Sequence, residues 1–393
     1  MEFLQHYLPW KSREMNEHDS FGLQAHLRGV SAWGEYITGI EFDSTDGRLK
    51  EDQAESFSPN QPAGIHYDYQ VDASNVAVFG QVEVAIAEDL RLQAGLRSER
   101  TEYDYTTRAP AGSVCAPEAS ACRFYRPEDR SDNFSNLSSN LALVWTRGSH
   151  NVYVRTAKGF RAPQATELYR LQSGQQVADI DSEEATSLDI GWRFSNERVS
   201  TDISVYAIDK EEVIFLDRNR QSVSGASTRH RGIDLDLSWS ISETLTASLN
   251  AAYADHTYDS DIQVLGSRDS IQGNDIDTAP RHFGSARITK AMTLNSRPAS
   301  IELEAAWVDK YYIDPNNQHT YPAPDPANAR AARPLSEKLR STLTITTLLD
   351  TGYAERADHR FGNYRCFLGE PRSALLGLQF VPSQKRNNLM NPS

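Results

Sequence analysis

The sequence predicts an all-β fold, namely an incomplete transmembrane antiparallel meander β-barrel. Three observations support this prediction. Apolar and polar residues alternate with a period of two along many segments, short and long connections take turns between those segments, and tryptophans recur beside the short connections. All three are typical of a barrel whose outer face meets lipid and whose inner face meets water.

Composition excludes two other classes of protein. The chain has 393 residues and a mean hydropathy of -0.58. It has no apolar run of the roughly 18 residues that a membrane-spanning helix needs. The formal net charge is -14 at pH 7, and no basic stripe offsets it, so a nucleic-acid partner is not expected.

The period-two alternation is regular enough to assign strands. Val76, Val78 and Val82, for example, alternate with Gln81 and Glu83. Fifteen segments are assigned in this way, the one near 326–334 being the weakest. They lie near 21–30, 33–43, 75–86, 90–105, 137–146, 150–159, 184–194, 198–216, 228–239, 244–257, 281–291, 299–312, 326–334, 338–349 and 372–381.

The connections between these segments alternate in length. Tight polar turns are predicted at 31–34, 87–89, 147–150, 195–198, 240–243, 294–298 and 334–338. Long loops are predicted at about 44–74, 106–135, 160–183, 217–227, 258–280, 313–325 and 351–371. A membrane barrel sorts its connections in this manner, with short turns at the periplasmic rim and long loops outside.

Four of the six tryptophans lie at strand ends beside the short turns. They are Trp33, Trp145, Trp192 and Trp239, and the alternation places each on the apolar face. This position is typical of an aromatic girdle at the periplasmic interface of a membrane. Taken one at a time, each tryptophan is also compatible with ordinary core packing.

The odd number of predicted strands indicates that the barrel is incomplete, and the position of the first turn divides the chain into three parts. Bacterial single-chain barrels have an even number of strands, and fifteen is odd, so this chain is predicted to be the later part of a longer barrel. If residues 31–34 form the first periplasmic turn, residues 1–20 are the remnant of an extracellular loop. Residues 21–381 then form the partial barrel, and residues 382–393 form a disordered tail.

Three cysteines are too few for a four-ligand zinc site. Cys115 and Cys122 are close in sequence and flanked by small residues and proline, which suits a disulfide-closed loop in an oxidising compartment. Two unrelated free thiols remain the alternative. Cys366 has no evident partner.

The most distinctive segment follows a predicted strand. It contains Lys158, Gly159, Phe160, Arg161, Ala162 and Pro163, and then Glu167, Leu168 and Tyr169 at the start of a short helix. Pro163 ends the strand because it has no N–H to donate to the ladder. Arg161 can hold a carboxylate or a loop carbonyl. Two interpretations stay open: the segment fixes the geometry of the loop over the barrel mouth, or it touches a ligand.

This segment resembles the strand-to-loop signature of TonB-dependent outer-membrane receptors of the siderophore-receptor type. Residues 133–145 and 348–380 resemble other parts of the same family, the latter its last two strands and the loop between them. Only the C-terminal part of the family's barrel is matched, about 15 of an expected total of about 22 strands. The plug domain and the TonB box lie outside the matched part.

The resemblance implies a receptor in the outer membrane of a Gram-negative bacterium. Its expected partners are outer-membrane lipid, a ferric siderophore or a similar scarce chelate, and the TonB complex, which would be engaged through a missing N-terminal region. No cofactor is implied. A passive porin-type channel is the alternative, because it would show the same strands and girdles.

The residues do not indicate an enzyme or a resident metal. The sequence has no nucleophile-elbow, zinc-protease, P-loop or dinucleotide-binding motif. No histidine lies between Pro163 and Glu184, which disfavours heme as cargo for this family. Single histidines at 66, 256, 282, 319 and 359 are expected to be solvated surface residues. Substrate-binding residues cannot be assigned from the sequence.

Overall fold

The structure is a computed structural model, and it describes residues 2–4, 11–119, 122–172, 174–323, 325–360 and 362–380. The main sheet comprises, in spatial order, β1 (Glu2–Leu4), β2 (Arg13–Ser31), β3 (Gly34–Gln53), β4 (Gly64–Ala87), β5 (Leu90–Thr107), β8 (Arg130–Arg147), β9 (His150–Arg161), β10 (Glu183–Ser195), β11 (Val199–Leu216), β12 (Ser222–Ser242), β13 (Leu245–Tyr258), β14 (His282–Leu294), β15 (Arg297–Val308), β18 (Ala327–Pro334), β19 (Leu339–Thr346) and β22 (Ser373–Phe380).

Smaller elements lie in the long connections. The helix α1 spans Ala165–Tyr169. Three two-stranded ribbons pair β6 (Gly112–Ser113) with β7 (Tyr125–Arg126), β16 (Tyr311–Tyr312) with β17 (Thr320–Tyr321), and β20 (Ala354–Arg360) with β21 (Asn363–Leu368).

The main sheet is an antiparallel meander, which confirms the predicted fold class. Its spatial order follows the chain order and skips only the ribbon strands. All fifteen predicted strands are present, and β1 is added at one edge by pairing with β2. At the other edge β22 pairs with β19. The sheet is therefore open between β1 and β22, and the barrel is not closed.

The two faces of the sheet differ in polarity. Leu23 and Leu96 are 59% and 61% exposed, so these apolar side chains do not pack against a second layer of protein. On the opposite face the guanidinium of Arg28 pairs with the carboxylate of Glu35 at 2.9 Å across neighbouring strands. Because side chains alternate along a strand, one face of the meander is oily and the other is polar over the middle part of the strands.

The two rims of the sheet also differ. Turns of two to four residues join β2–β3, β4–β5, β8–β9, β10–β11, β12–β13, β14–β15 and β18–β19. These turns define the short-turn rim. The other connections define the long-loop rim, where the described loops carry α1 and the three ribbons. The predicted separation of short and long connections is present.

Several predicted loops are strands over much of their length. Residues 13–20, expected in an extracellular loop, belong to β2, and residues 44–53 and 64–74 belong to β3 and β4. Residues 13–20 carry almost no apolar side chains, whereas in β4 the alternation continues with Tyr67, Tyr69 and Val71 buried on the inner face. Backbone pairing continues in both regions, with Arg13 opposite Asp52. Unpaired backbone groups are costly, so the polar extensions remain in the ladder. Pattern reading underestimated the strands for this reason.

The later long loops are also more ordered than expected. The connection between β11 and β12 is only residues 217–221, and the connection between β19 and β22 contains the β20–β21 ribbon. The predicted tail at 382–393 lies outside the described residues.

The upper end of β11 is irregular. Its register against β12 shifts between Lys210 and Val213 and again before Phe215. Glu212 lies between them with φ 51, in the left-handed region that a non-glycine residue rarely adopts. Bulges of this kind bend a strand and re-aim its side chains. At this place the sheet leaves room for a cavity, which is described below.

Candidate functional site at the long-loop rim

The signature segment forms the end of β9 and the start of the loop after it. Lys158, Gly159, Phe160 and Arg161 are paired with β10, and Lys158 forms an ion pair with Glu184 at 2.7 Å. Ala162 and Pro163 follow, and α1 then begins. The backbone N–H of Gln164 donates to the carboxylate of Glu167 at 2.7 Å, which satisfies one donor at the start of the helix.

Arg161 ties the loop to the next strand. Its guanidinium donates to Glu183 at 2.9 Å and to both oxygens of Glu167 at 2.8 and 3.1 Å. Hydrogen bonds to Glu183 and Glu167 raise the pKa of Arg161. Glu183 also accepts the backbone N–H of Ile214 at 2.9 Å. The arginine therefore holds two carboxylates of its own chain.

The residues after Arg161 fold back onto the inner face of the sheet. The cluster formed by Tyr67, Tyr69, Tyr105, Leu168, Tyr169 and Leu171, here the tyrosine cluster, is buried at 0 to 3% exposure. The ring of Tyr169 stacks on Tyr105 at 4.4 Å, and its hydroxyl donates to Asp132 at 2.8 Å. Tyr105 is on the same side of β5 as Arg97, which is the polar side. The loop is thus a lining of the barrel mouth.

A buried ion network lies beside the tyrosine cluster, and sequence reasoning missed it. The guanidinium of Arg170 pairs with Glu14 at 3.3 Å and also with Glu51. Burial opposes its charge, but Glu51 and Glu14 outweigh that effect, so the pKa of Arg170 is raised. The imidazole of His66 contacts Glu51 at 3.1 Å. The pairing of Arg170 with Glu51 could not be predicted from a local sequence pattern, because the two residues are 119 positions apart.

The predicted cysteine pair lies next to this network. Cys115 and Cys122 are joined by a disulfide with an S–S distance of 2.09 Å. Phe124, in the same connection, stacks on His66 with 3.8 Å between ring centroids. Cys366 is exposed on β21. The disulfide loop therefore covers the outer end of β4.

The four tryptophans of the predicted girdle lie beside turns of the short-turn rim. Trp33 is in the turn between β2 and β3, and the others are near the ends of β8, β10 and β12. Their exposed fractions are 52, 37, 36 and 46% for Trp33, Trp145, Trp192 and Trp239. All four side chains are therefore available to surroundings outside the protein.

The second half of the long-loop rim contains a cavity of about 750 Å³, here the cationic cavity. Its walls come from the bulged end of β11, the 217–221 connection, the loops at 259–281 and 309–319, and the end of β20. Its charged lining side chains are Lys210, Arg220, Arg268, Asp277, Asp314 and Arg360. The cavity opens on the same rim as the tyrosine cluster.

Several histidines expected to be isolated surface residues are brought together at this cavity. His319 and His359 stack with ring centroids 3.7 Å apart, and His319 contacts the carboxylate of Asp314 at 2.9 Å. His230 and His256 face each other with their Nδ1 atoms 2.8 Å apart. The expectation of scattered, solvated histidines is wrong for His256, His319 and His359, and also for His66, which is fully buried. His319 and His359 come from two separate long connections, whereas His230 and His256 lie opposite each other on the neighbouring strands β12 and β13.

In the parts of the chain that the structure describes, no group of three or more His, Cys, Asp or Glu side chains is arranged to hold a metal ion. Within the same parts, no helix is long and apolar enough to cross a membrane.

Comparison with protein families identifies the class of protein. Residues 5–346 match the family described as TonB dependent receptor-like, beta-barrel. The chain belongs to this family. A comparison with curated proteins gave no match.

Solved structures of low sequence identity share the fold. The ferric yersiniabactin uptake receptor FyuA from Yersinia pestis has a TM-score of 0.73 at 12% identity, over 94% of this chain and 55% of its own. The siderophore receptor PiuA from Acinetobacter baumannii has a TM-score of 0.74 at 14% identity, over 94% of this chain and 57% of its own. The copper transporter OprC has a TM-score of 0.75 at 15% identity, over 95% of this chain and 58% of its own. The chain therefore spans little more than half the length of these structures. By their descriptions they are receptors and transporters rather than enzymes.

Proposed function

We propose that this chain is the barrel portion of an outer-membrane receptor that takes up a ferric siderophore or a similar scarce chelate with energy from the TonB complex. Lipid of a Gram-negative outer membrane would cover the oily outer face. Family membership and the fold shared with siderophore receptors support this proposal. TonB and the plug would act through segments beyond the matched barrel.

One observation carries the proposal furthest: the loops of the long-loop rim are folded inward and anchored. Arg161, Tyr169 and Arg170 bind carboxylates on three strands of the sheet, namely β10, β8 and β2. An inward loop with fixed side chains narrows the mouth and offers a shaped surface to a ligand.

Uptake of a radiolabelled ferric chelate by iron-starved cells tests the proposal. Cells carrying the intact gene are expected to accumulate iron in a saturable manner, and deletion of the gene is expected to abolish this uptake. Loss of TonB or collapse of the proton gradient should have the same effect as the deletion. Uptake that persists without TonB and rises linearly with concentration would instead support a porin-type channel.

A further inference from the structure

A groove of about 400 Å³ lies on the oily face of the sheet, on the side opposite to the barrel interior. It crosses β10, β11, β12 and β13 and is called here the Arg231 groove. The side chains that line it on this face are Leu188, Ile190, Val205, Ala207, Arg231, Ile233, Tyr253 and Asp255. The large apolar and aromatic ones among them are 39 to 50% exposed. No other part of the described protein therefore covers the groove.

The register of the four strands explains the shape of the groove. Residues that lie opposite one another in an antiparallel ladder point to the same face of the sheet. One row across the four strands is wholly apolar or aromatic and consists of Ile190, Val205, Ile233 and Tyr253. The next row towards the long-loop rim consists of Leu188, Ala207, Arg231 and Asp255. The short side chain of Ala207 leaves the depression between Leu188 and Arg231.

Arg231 lies near the edge of the oily band. Trp239, at the short-turn end of the same strand, is eight residues away, which is a separation of roughly 26 Å along a strand. At the usual tilt of about 35–45° this is about 20 Å along the membrane normal, and the apolar band of such a barrel is about 25 Å tall. A long arginine side chain extends from this position to the interface. The guanidinium is therefore at the level of the lipid headgroups beside the long-loop rim.

The charge of Arg231 is not compensated by the protein. Within the described residues, no carboxylate lies at ion-pair distance from its guanidinium, whereas the charged side chains around it are paired. Asp255, directly opposite on β13, pairs with Arg281 at 3.3 Å. Arg229, two residues away on the same face, pairs with two aspartates at 2.6 and 3.6 Å. Arg231 is therefore available to an anionic group from outside the protein.

A larger depression on the same face provides a comparison. It has a volume of about 820 Å³, and Trp33, Leu96, Leu141 and Lys158 are among its lining residues. Its cation is already engaged, because Lys158 forms an ion pair with Glu184 at 2.7 Å. The larger depression thus offers apolar surface to lipid chains in general. The Arg231 groove differs from it by an uncompensated positive charge at the headgroup level.

We propose that the Arg231 groove binds a phosphate-bearing lipid, with acyl chains along the apolar row and a phosphate group on Arg231. This proposal goes beyond the proposed uptake and rests on its membrane location alone. A guanidinium donates paired hydrogen bonds to phosphate oxygens, and basic pockets at the membrane surface bind anionic headgroups.

The width of the groove narrows the choice of lipid. Its apolar row crosses four strands, so its ends are about 14 Å apart, and several acyl chains can lie side by side along it. Lipid A combines several acyl chains with phosphate groups on one headgroup. A lipid with these features is expected in the leaflet beside the long-loop rim of a Gram-negative outer membrane, and lipid A is the occupant that we assign to the groove.

Native mass spectrometry of the detergent-purified protein tests this proposal, because it counts the lipids that stay bound. The probes are lipid A, a neutral glycolipid with the same acyl chains, and inorganic phosphate. Lipid A is expected to bind about tenfold more tightly than the neutral glycolipid, as expected for a hydrogen bond to a charged group. Inorganic phosphate at an equal concentration is expected not to displace lipid A, because it has no acyl chains.

Variants locate the lipid on the sheet. Arg231→Gln is expected to weaken lipid A binding about tenfold, and Arg231→Lys, which keeps the charge, is expected to retain most of the affinity. Ala207→Leu fills the depression without changing the charge and is also expected to weaken binding. Arg100→Gln is the matched control and is expected to change nothing. Arg100 lies opposite Val76 on the same face, and its charge is paired with Glu102 at 2.6 Å.

Three results would overturn the assignment of the groove to lipid A. They are full affinity in Arg231→Gln, equal binding of the neutral glycolipid, and displacement of lipid A by inorganic phosphate. Unchanged affinity in Ala207→Leu would overturn the position given to the acyl chains. These measurements involve neither a chelate nor TonB, so the uptake function would stand in each case. Absence of the protein from the outer-membrane fraction of cells would instead overturn the membrane location, and with it both proposals.

Discussion

The two halves of the long-loop rim are built differently. In the first half, α1 and the tyrosine cluster fill the space inside the sheet, with Leu168, Tyr169 and Leu171 at most 1% exposed. In the second half, bulges and separated loops leave the cationic cavity, lined mostly by half-buried and exposed side chains, with Thr228, Ile313 and Asp314 buried in its wall. The first half resembles a small protein core, and the second resembles a binding site.

This difference indicates that the two halves of the long-loop rim have different roles, one in stability and one in ligand binding. Close packing and satisfied ion pairs stabilise the signature loop, so substitutions there should act on stability. The cavity contributes little apolar burial and keeps its cations near open space, so substitutions there should act on ligand binding. The three predictions below test that division.

The largest effect is expected from Arg170→Ala. Removing the guanidinium takes one ion-pair partner from both Glu14 and Glu51, whose side chains are 10% and 6% exposed. Breaking a buried ion network costs about 3 to 5 kcal/mol. Amide hydrogen exchange of residues 164–172 should show a loss of local protection of this size. Arg28→Ala removes an exposed pair and is expected to cost below about 1 kcal/mol; similar losses in both variants would contradict the prediction.

A smaller effect is expected from Leu168→Ala. Leu168 is 1% exposed in the tyrosine cluster, so its truncation leaves a void and costs about 2 to 5 kcal/mol. Leu216→Ala is the matched control, since Leu216 lines the cationic cavity and is 38% exposed. Denaturant unfolding in detergent micelles, followed by the same exchange experiment, measures both. Equal destabilisation by the two variants would remove the distinction between a packed half and an open half.

The smallest effect concerns pH at the cavity. His230 lines it on the long-loop side of the apolar stretch of β12, and burial, His256 and Lys210 lower the pKa of His230 to about 4. The unfolded chain therefore binds this proton more readily, and stability present above the unfolded value near 6.5 declines as pH falls towards 4. His230→Gln should flatten that decline, as measured by unfolding midpoints across this range. An unchanged pH profile in the variant would show that another group is responsible.

The strands and their sorting into two rims were predictable because they depend on local pattern. Alternation such as that of Val76, Val78 and Val82 reports the exposed face directly, and the fifteen predicted strands are all in the sheet. Strand ends were less predictable. Residues 13–20 pair with β3 beyond the oily band. Their side chains are almost all polar on both faces, so no period-two pattern in the sequence marks them as a strand.

The signature segment illustrates the same limit. Its strand end, proline stop and short helix were readable at Arg161, Pro163 and Glu167. The partners of Arg170 were not readable, and neither was the gathering of His319 with His359 or of Arg220 with Arg360. Those partners come from distant parts of the chain, such as Glu14 in β2 and Glu51 in β3 for Arg170.

The sequence by itself determined the oily and polar faces of the strands, the alternation of turns and loops, and the position of the loop-forming segment, because each is encoded within a few neighbouring residues. Only the tertiary structure decided which half of the mouth is packed and which is open. Charged and aromatic side chains from distant parts of the chain come into contact at the long-loop rim when the sheet curves. The free energies of burial and ion pairing depend on those contacts.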